Sequence, residues 1–256
     1  MSGPSRAGGR GPREAPLAAL ATQVADCRRC PRLVQWRERV ARERRAAYAD
    51  QEYWGRPLAG FGDPAARVLL LGLAPAAHGG NRTGRIFTGD ESGNWLFAGL
   101  HAAGFANQPT SVRRDDGLVL RDAWVTAAAR CAPPANRPTR EELDTCRRWL
   151  LAELALLPGL RVAVVLGRVA HDAFLAAEGA RGHPVPRPRP AFAHGAEHRL
   201  PSGLTLLCSY HPSQQNTFTG RLTRPMLDRV LGRAAGLAAG ASSSSRRRVV
   251  TRARGA

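Results

Sequence analysis

Val68–Asp90 reads V-L-L-L-G-L-A-P-A-A-H-G-G-N-R-T-G-R-I-F-T-G-D. Its opening, Val68-Leu69-Leu70-Leu71, is an unbroken apolar run, the pattern of a parallel strand buried on both faces. Glu91–Gly104 comes next, with Trp95, Leu96, Phe97 and Leu100 at helical spacing. A long loop rich in Gly, Asn, Thr and Arg therefore joins a strand to a helix. In α/β proteins that is where ligands bind, at the carboxyl ends of strands. The loop is not a standard nucleotide loop: it lacks the G-x-G-x-x-G register, and a phosphate-binding loop would end in Lys-Ser or Lys-Thr. The chain has no lysine at all.

Working outward, the same alternation recurs. Helices are expected over Ala18–Ala25 and Arg32–Ala47, and strands over Val68–Gly72, Ala123–Ala128, Val162–Leu166 and Leu204–Cys208. Pro138-Thr139-Arg140-Glu141-Glu142 opens a helix in which Thr139 is the N-cap and Glu142 completes a capping box. Further helices are expected over Arg168–Ala177 and Thr223–Leu237, and the proline-punctuated run His183–Pro190 reads as an extended surface loop. Four short apolar strands separated by helices imply an α/β fold, a three-layer α/β/α sandwich around a four-stranded parallel sheet. Residues 16–237 are expected to form this single domain. The Gly/Pro/Arg-rich residues 1–15, and residues 238–256 with their Ser242–Ser245 run and Arg246–Arg248, are expected to be disordered tails.

Composition narrows the function. A chain of 256 residues, 43% of them hydrophobic, can bury one sizeable core. It has no run of 18 apolar residues and no apolar signal core, so a cytoplasmic protein is expected. The formal net charge is +18, and all 38 basic side chains are arginine. Such an excess favours a polyanionic partner, nucleic acid before anionic membrane, although part of it lies in the tails. Arginine in place of lysine also fits a compositional bias of the source genome. The missing lysines exclude any mechanism that needs a side-chain amine, such as a Schiff base with a sugar aldehyde.

Cys27 and Cys30 form a C-x2-C pair, Cys131 and Cys146 are separated by fourteen intervening residues, and Cys208 stands alone in the last strand. Four cysteines with one tight pair point to a metal site rather than disulfides, against the alternative of scattered buried thiols. Zinc and an iron–sulfur cluster both suit four thiolates, and spacing does not choose between them. The position of the four suggests structural work from the metal. Cys208 reads as a buried strand residue.

Three of the loops that follow the four strands carry chemistry. The first is Gly72–Asp90. The second, Arg130–Pro138, is stiffened by prolines and presents Asn136 and Arg137. The third is Ser209-Tyr210-His211-Pro212-Ser213-Gln214-Gln215-Asn216-Thr217. Loops at one edge of a parallel sheet converge, so His211, Asn136, Asn81, His78 and Phe87 could share one pocket. Plainer roles exist for each: Phe87 as a core anchor, Asn81 and Asn136 as turn formers, Arg82 and Arg85 as solvated charges. Asp90 reads as an N-cap for the next helix, and Gly84 suggests that the backbone comes close to another group.

The first loop together with H-P-S-Q-Q-N-T resembles motifs one and two of the uracil-DNA glycosylase superfamily. The likeness is greatest to family 5, the iron–sulfur B type of bacteria and archaea. The order C-x2-C, then R-C-A-P-P and a further cysteine, is similar to that family's [4Fe–4S] pattern, so the resemblance implies a [4Fe–4S] cluster on Cys27, Cys30, Cys131 and Cys146. It spans roughly Cys27 to Leu237 and implies removal of uracil, and of some deaminated purines, from double-stranded DNA by a monomeric, nucleoid-associated enzyme. Related families carry a carboxylate early in motif one, whereas here Leu73, Ala74, Ala76 and Ala77 are apolar, as in family 5. With the base flipped out, Phe87 would stack under it while Gly72, Ala76, His78 and Asn81 line the pocket. His211 would donate to the leaving base, and Asn136 would orient water. Arg82, Arg85, Arg137, Arg221 and Ser213 would contact DNA. A non-catalytic DNA-binding protein with a metal cluster would share the cysteines and arginines, but it gives no reason for the His-Pro-Ser loop to face the Gly/Asn loop.

Overall fold

A computed structural model describes residues 14–240. Its centre is a six-stranded sheet in the order β1-β3-β2-β4-β6-β5. Four of the strands are the parallel ones the apolar runs predict: β2 (Val68–Gly72), β3 (Ala123–Ala127), β4 (Val162–Leu166) and β6 (Thr205–Ser209). Every residue of these four strands is buried. The expected four-stranded sheet is corrected at its edges. The two-residue β1 (Phe61–Gly62) pairs antiparallel with β3, and β5 (Glu197–Arg199) pairs antiparallel with β6. Both are too short to leave an apolar alternation, β5 is polar as well, and pairing with a neighbour is what makes them strands. The last parallel strand lies one residue later than the sequence suggests.

Side chains alternate across the sheet and so build two cores. Val68, Leu70, Val125, Val164 and Leu207 face α4 (Glu91–Ala102) and α8 (Arg224–Ala238), meeting Leu96, Phe97, Leu100, Leu227 and Leu231. Leu69, Leu71, Trp124, Val165 and Cys208 face the opposite layer, where they meet α1 (Glu14–Ala25), α5 (Arg140–Leu156) and α6 (Arg168–Ala180) through Leu17, Leu150, Leu154 and Phe174. Cys208 is thus a core residue, wholly buried. Two short helices, α3 (Gly80–Thr83) and α7 (Gln214–Phe218), interrupt the loops after β2 and β6.

Helix ends follow the local sequence. Thr139 accepts from the Glu142 amide, and the Glu142 carboxylate accepts from the Thr139 amide, closing the capping box on α5. Asp90 caps α4 by accepting from Gly93 N at 2.9 Å. The helix expected over Arg32–Ala47 is shorter. Its counterpart α2 (Pro31–Glu43) ends where Arg44 takes a positive φ of 52°, and a separate turn covers Ala46–Tyr48. Most of the two expected tails lies outside the described residues. Of their described parts, Glu14 and Ala15 belong to α1, Ala238 is the buried last residue of α8, and Ala239 and Gly240 follow it.

Candidate active site and cysteine cluster

Gly72 ends β2, and the chain crosses to α4 through the long loop. Near its end Phe87 adopts a φ of 54°, a left-handed conformation that costs a bulky residue about 1–3 kcal/mol. That backbone turns the aromatic ring back over Gly72: a methyl group there would lie 2.6 Å from both Cε2 and Cζ of Phe87. Glycine at the strand end is therefore required for the ring to lie where it does. Two strands away across the sheet, His211 follows β6 and stacks on Phe87, with ring centroids 5.7 Å apart and planes 30° from parallel. Asn216 donates to the His211 carbonyl at 2.9 Å, fixing the backbone while the imidazole keeps its own torsions. Burial among neighbouring atoms drives the imidazole down to about 4, although part of its surface stays open. At neutral pH it is an uncharged ring with one N–H to donate.

The rest of the loop is held by its own side chains. Arg85 is buried; it donates to Thr88, Ser111 and the Arg114 carbonyl and pairs with Asp116 at 2.7 Å. Burial raises the Asp116 carboxyl, but the Arg85 bond and three backbone amides outweigh it and bring the group to about 2. Arg82 donates to the His78 carbonyl, Gln51 and the Gly89 carbonyl, and lies 4.0 Å over the Tyr48 ring. These arginines were expected to contact DNA. In the structure their guanidinium groups brace the loop; Arg85 is buried, and Arg82 keeps part of its surface open. Asn81 is likewise displaced from the pocket edge. Its buried amide donates to the Arg37 carbonyl of α2 at 3.2 Å, and its Oδ1 has no partner among the described residues. The close approach suggested by Gly84 is to the Trp54 ring, 3.2 Å from where a methyl would stand.

His78 bonds through Nδ1 to the Tyr53 hydroxyl at 3.1 Å. Burial first, then Arg45 and Arg82, hold its pKa below the ordinary imidazole value. Ala76 is half-buried beside it, as are Leu73, Ala74 and Ala77, so this part of the loop presents apolar surface to the sheet edge. Asn136 and Arg137 lie exposed after β3; Ala135 and Asn136 both take positive φ, 52° and 55°. Two consecutive non-glycine residues in that region are a strained, presented turn. Ser213 starts α7, and exposed Arg221 lies 4.7 Å over the Tyr210 ring. Phe87 thus meets both Gly72 and His211. Asn136 shares their sheet edge without touching them, and Asn81 faces elsewhere.

Two residues escaped the sequence reading. Phe218, at the end of α7, is 77% exposed, the most exposed large apolar side chain among the described residues. An aromatic closing a polar loop was the available signal. Asp90 was read only as a cap, but its second carboxylate oxygen lies against Gly79, 2.0 Å from where a methyl would stand. Burial raises its pKa, against amides of Gly93 and Ser92 and the charge of Arg82 that lower it. It is the one carboxylate of the loop.

The four cysteines line one cavity. Cys27 follows α1, Cys30 is the residue before α2, Cys131 follows β3 and Cys146 lies in α5. Apolar Leu33, Val34, Pro57 and Trp149 complete the wall. Arg37 Nη1 donates to Cys131 Sγ at 3.0 Å, and the Arg130 amide donates to Cys146 Sγ at 3.2 Å. Burial pushes the thiols up, Cys131 to about 11 and Cys146 to about 12. Among the described residues no three His, Cys, Asp or Glu side chains are grouped to hold a metal ion. Four thiols around one cavity, with N–H donors already aimed at two sulfurs, fit a polynuclear cluster better than one small ion, whose ligands crowd to about 2.3 Å from the metal. The Nε atoms of Arg37 and Arg130 are buried there without partners. Arg32 pairs with Glu142 through two bonds of 2.8 and 2.7 Å, tying α2 to the start of α5.

Comparison with known proteins agrees with this layout. The family model described as the uracil DNA glycosylase superfamily matches residues 59–234. A type-5 uracil-DNA glycosylase of Thermus thermophilus is 54% identical over 220 residues, covering 86% of this chain and 97% of the relative. The type-5 enzyme of Pyrobaculum aerophilum is 49% identical over 214 residues, 83% of this chain and 89% of its own. A type-4 uracil-DNA glycosylase of the same organism is 28% identical over 164 residues, 63% of this chain and 74% of its own. The match begins just before the first strand, ends within the last helix and is strongest with the type-5 proteins: the chain belongs to the uracil-DNA glycosylase superfamily, in its type-5 branch.

Proposed function

We propose that this protein hydrolyses the N-glycosidic bond of uracil, and of other deaminated bases, in DNA, leaving an abasic site. The observation that carries the reading is the Phe87–His211 stack over Gly72, an aromatic platform and a neutral imidazole at the carboxyl edge of the parallel sheet. A flipped base takes the place of the His211 ring on Phe87, and the imidazole turns to the base's carbonyl edge about its anchored backbone. There its N–H meets the negative charge that builds on the leaving base. The sugar passes through an oxocarbenium-like state. Asn136 orients the attacking water, and Asp90 supplies a carboxylate close to the loop. Phe218 is the wedge that fills the gap in the duplex, supported by Ser213, while Arg137 and Arg221 hold phosphates.

With no lysine in the chain, no side-chain amine can attack the abasic sugar, so the enzyme is monofunctional. The four thiols Cys27, Cys30, Cys131 and Cys146 hold a [4Fe–4S] cluster that locks α1 and α2 onto the loop after β3. Its donor set and lining support this reading, and a brown colour with broad visible absorbance is its signature. A monomer suffices for every step. Among the described residues no helix is long and apolar enough to cross a membrane.

The test is incubation with a uracil-containing duplex followed by alkali, which cleaves at abasic sites. Product from wild type is expected, with His211→Ala slower in single turnover by about 10²–10³-fold and its DNA binding retained. Equal loss of binding and excision would remove His211 from the chemistry. A borohydride-trapped adduct would contradict the monofunctional reading.

A further inference from the structure

Starting at Tyr210, the residue before His211, the surface carries alternating cations and rings, of which the proposed excision site uses only Arg221. Arg221 lies 4.7 Å over the Tyr210 ring. Tyr210 and Phe192 have centroids 6.2 Å apart at 52°, and Arg168 lies 5.2 Å over Phe192. Both rings are half-buried, and both arginines are exposed. Neither arginine forms an ion pair with a carboxylate among the described residues. Phe192 is brought there by the proline-rich segment His183–Pro190, which the pocket does not use.

The strip leads into a cleft. Val169, the residue after Arg168, and Arg189, three residues before Phe192, both line a cavity of about 510 Å³ between α5 and α6. Its floor is apolar, with Leu143, Ala173 and Val169. Arg140, Arg147 and Arg189 stand at the rim together with Asp144 and Asp172. Asp172 pairs with Arg189 at 2.9 Å, and Asp144 pairs with Arg147. Strip and cleft together hold five arginines against two aspartates. A volume of this size suits a nucleotide and excludes a duplex.

We propose that this strip and cleft form a second nucleic-acid site, which binds an unpaired segment of DNA next to the excision pocket. Bases stack on the guanidinium planes of Arg168 and Arg221, backed by the rings beneath, and the next nucleotide enters the cleft with its phosphate on Arg189. Guanidinium–aromatic platforms bind single strands with little sequence preference because every base offers a flat face. Charge brings the strand in, and stacking distinguishes it from any other polyanion.

The test is fluorescence anisotropy of the full chain with labelled oligothymidine, which contains no uracil, and with an abasic oligomer of the same length. Wild type should bind oligothymidine about tenfold more tightly than the abasic strand. Arg168→Gln, an exposed substitution, and Phe192→Leu, which keeps apolar packing, should each weaken oligothymidine binding several-fold. Excision from a fully paired uracil duplex should stay within twofold of wild type in both. Equal affinity for the abasic strand, or for a polyglutamate competitor of matched charge, would reduce the site to a general anion surface and overturn the proposal. Unchanged oligothymidine binding in both variants would overturn it too. So would parallel loss of single-strand binding and duplex excision, which would make these residues part of the main DNA face. The oligothymidine and abasic-strand arms read the second site whether or not uracil is the substrate; only the excision arm rests on the proposed function.

Discussion

At the residue scale, the site depends on Gly72, Phe87 and His211 fitting one another. Gly72→Ala places a methyl 2.6 Å from the Phe87 ring, far inside van der Waals contact, so the ring has to leave its position. Excision should fall by one to two orders of magnitude with little change in DNA affinity, read by comparing single-turnover rates with binding. His211 makes a separate prediction. Its imidazole is held at about 4 by burial, whereas an unfolded histidine titrates near 6.5. As pH drops from about 6.5 to about 4 the unfolded chain takes up that proton first, so the folded state loses stability through this window and keeps it above. His211→Gln should therefore flatten the stability–pH slope between pH 7 and 4.5. Denaturation midpoints of both proteins across that range test it. Asp90→Asn keeps a good N-cap while removing the charge: an unchanged melting temperature with slower excision would separate the carboxylate's chemistry from its capping.

At the element scale, α5 connects the cysteine cavity to the sheet. Its first turn carries the Thr139–Glu142 box and the Arg32 pair, and one turn later Cys146 faces the cavity. Thr139→Ala removes one side of the box and should cost about 1 kcal/mol, seen as a lower melting temperature. If the cluster stiffens this region, loss of visible absorbance on mild heating should also begin earlier in that variant. Much of this was legible beforehand, because a capping box is a local pattern of four residues. The four central strands were legible for a similar reason: a strand covered on both faces must be apolar throughout. The edge strands β1 and β5 were not, since two or three residues carry no periodicity and become strands only beside a partner.

At the scale of the whole molecule, a buried ion pair joins the two halves of the architecture. Arg130 donates to both oxygens of Glu153 at 2.8 and 2.7 Å. Glu153 also accepts from Thr126 of β3 and from the Gly60 amide. The Arg130 amide in turn reaches Cys146. Glu153→Gln leaves the guanidinium buried without its counter-charge, which should cost about 3–5 kcal/mol. A denaturation midpoint close to wild type would show that the network is dispensable. Arg137 and Arg221 are exposed and form no ion pair with a carboxylate among the described residues, so duplex binding through them should weaken as salt rises from 50 to 200 mM.

The sequence by itself determined the chemistry on offer: four thiols suited to a metal site, no side-chain amine for a Schiff base, a His-Pro-Ser loop, and a motif-one loop without an early carboxylate. These are properties of residue type and order, which folding does not alter. Tertiary structure alone decided which groups remain free to act. Arginines 82 and 85 look equivalent to 137 and 221 in the chain, yet the first two spend their donors on carbonyls, hydroxyls and a carboxylate of their own fold. Asn81, read as a pocket residue, faces α2, while Phe87 meets a histidine 124 positions away. A hydrogen-bond donor has few bonds to give, and only the folded neighbourhood settles where they go.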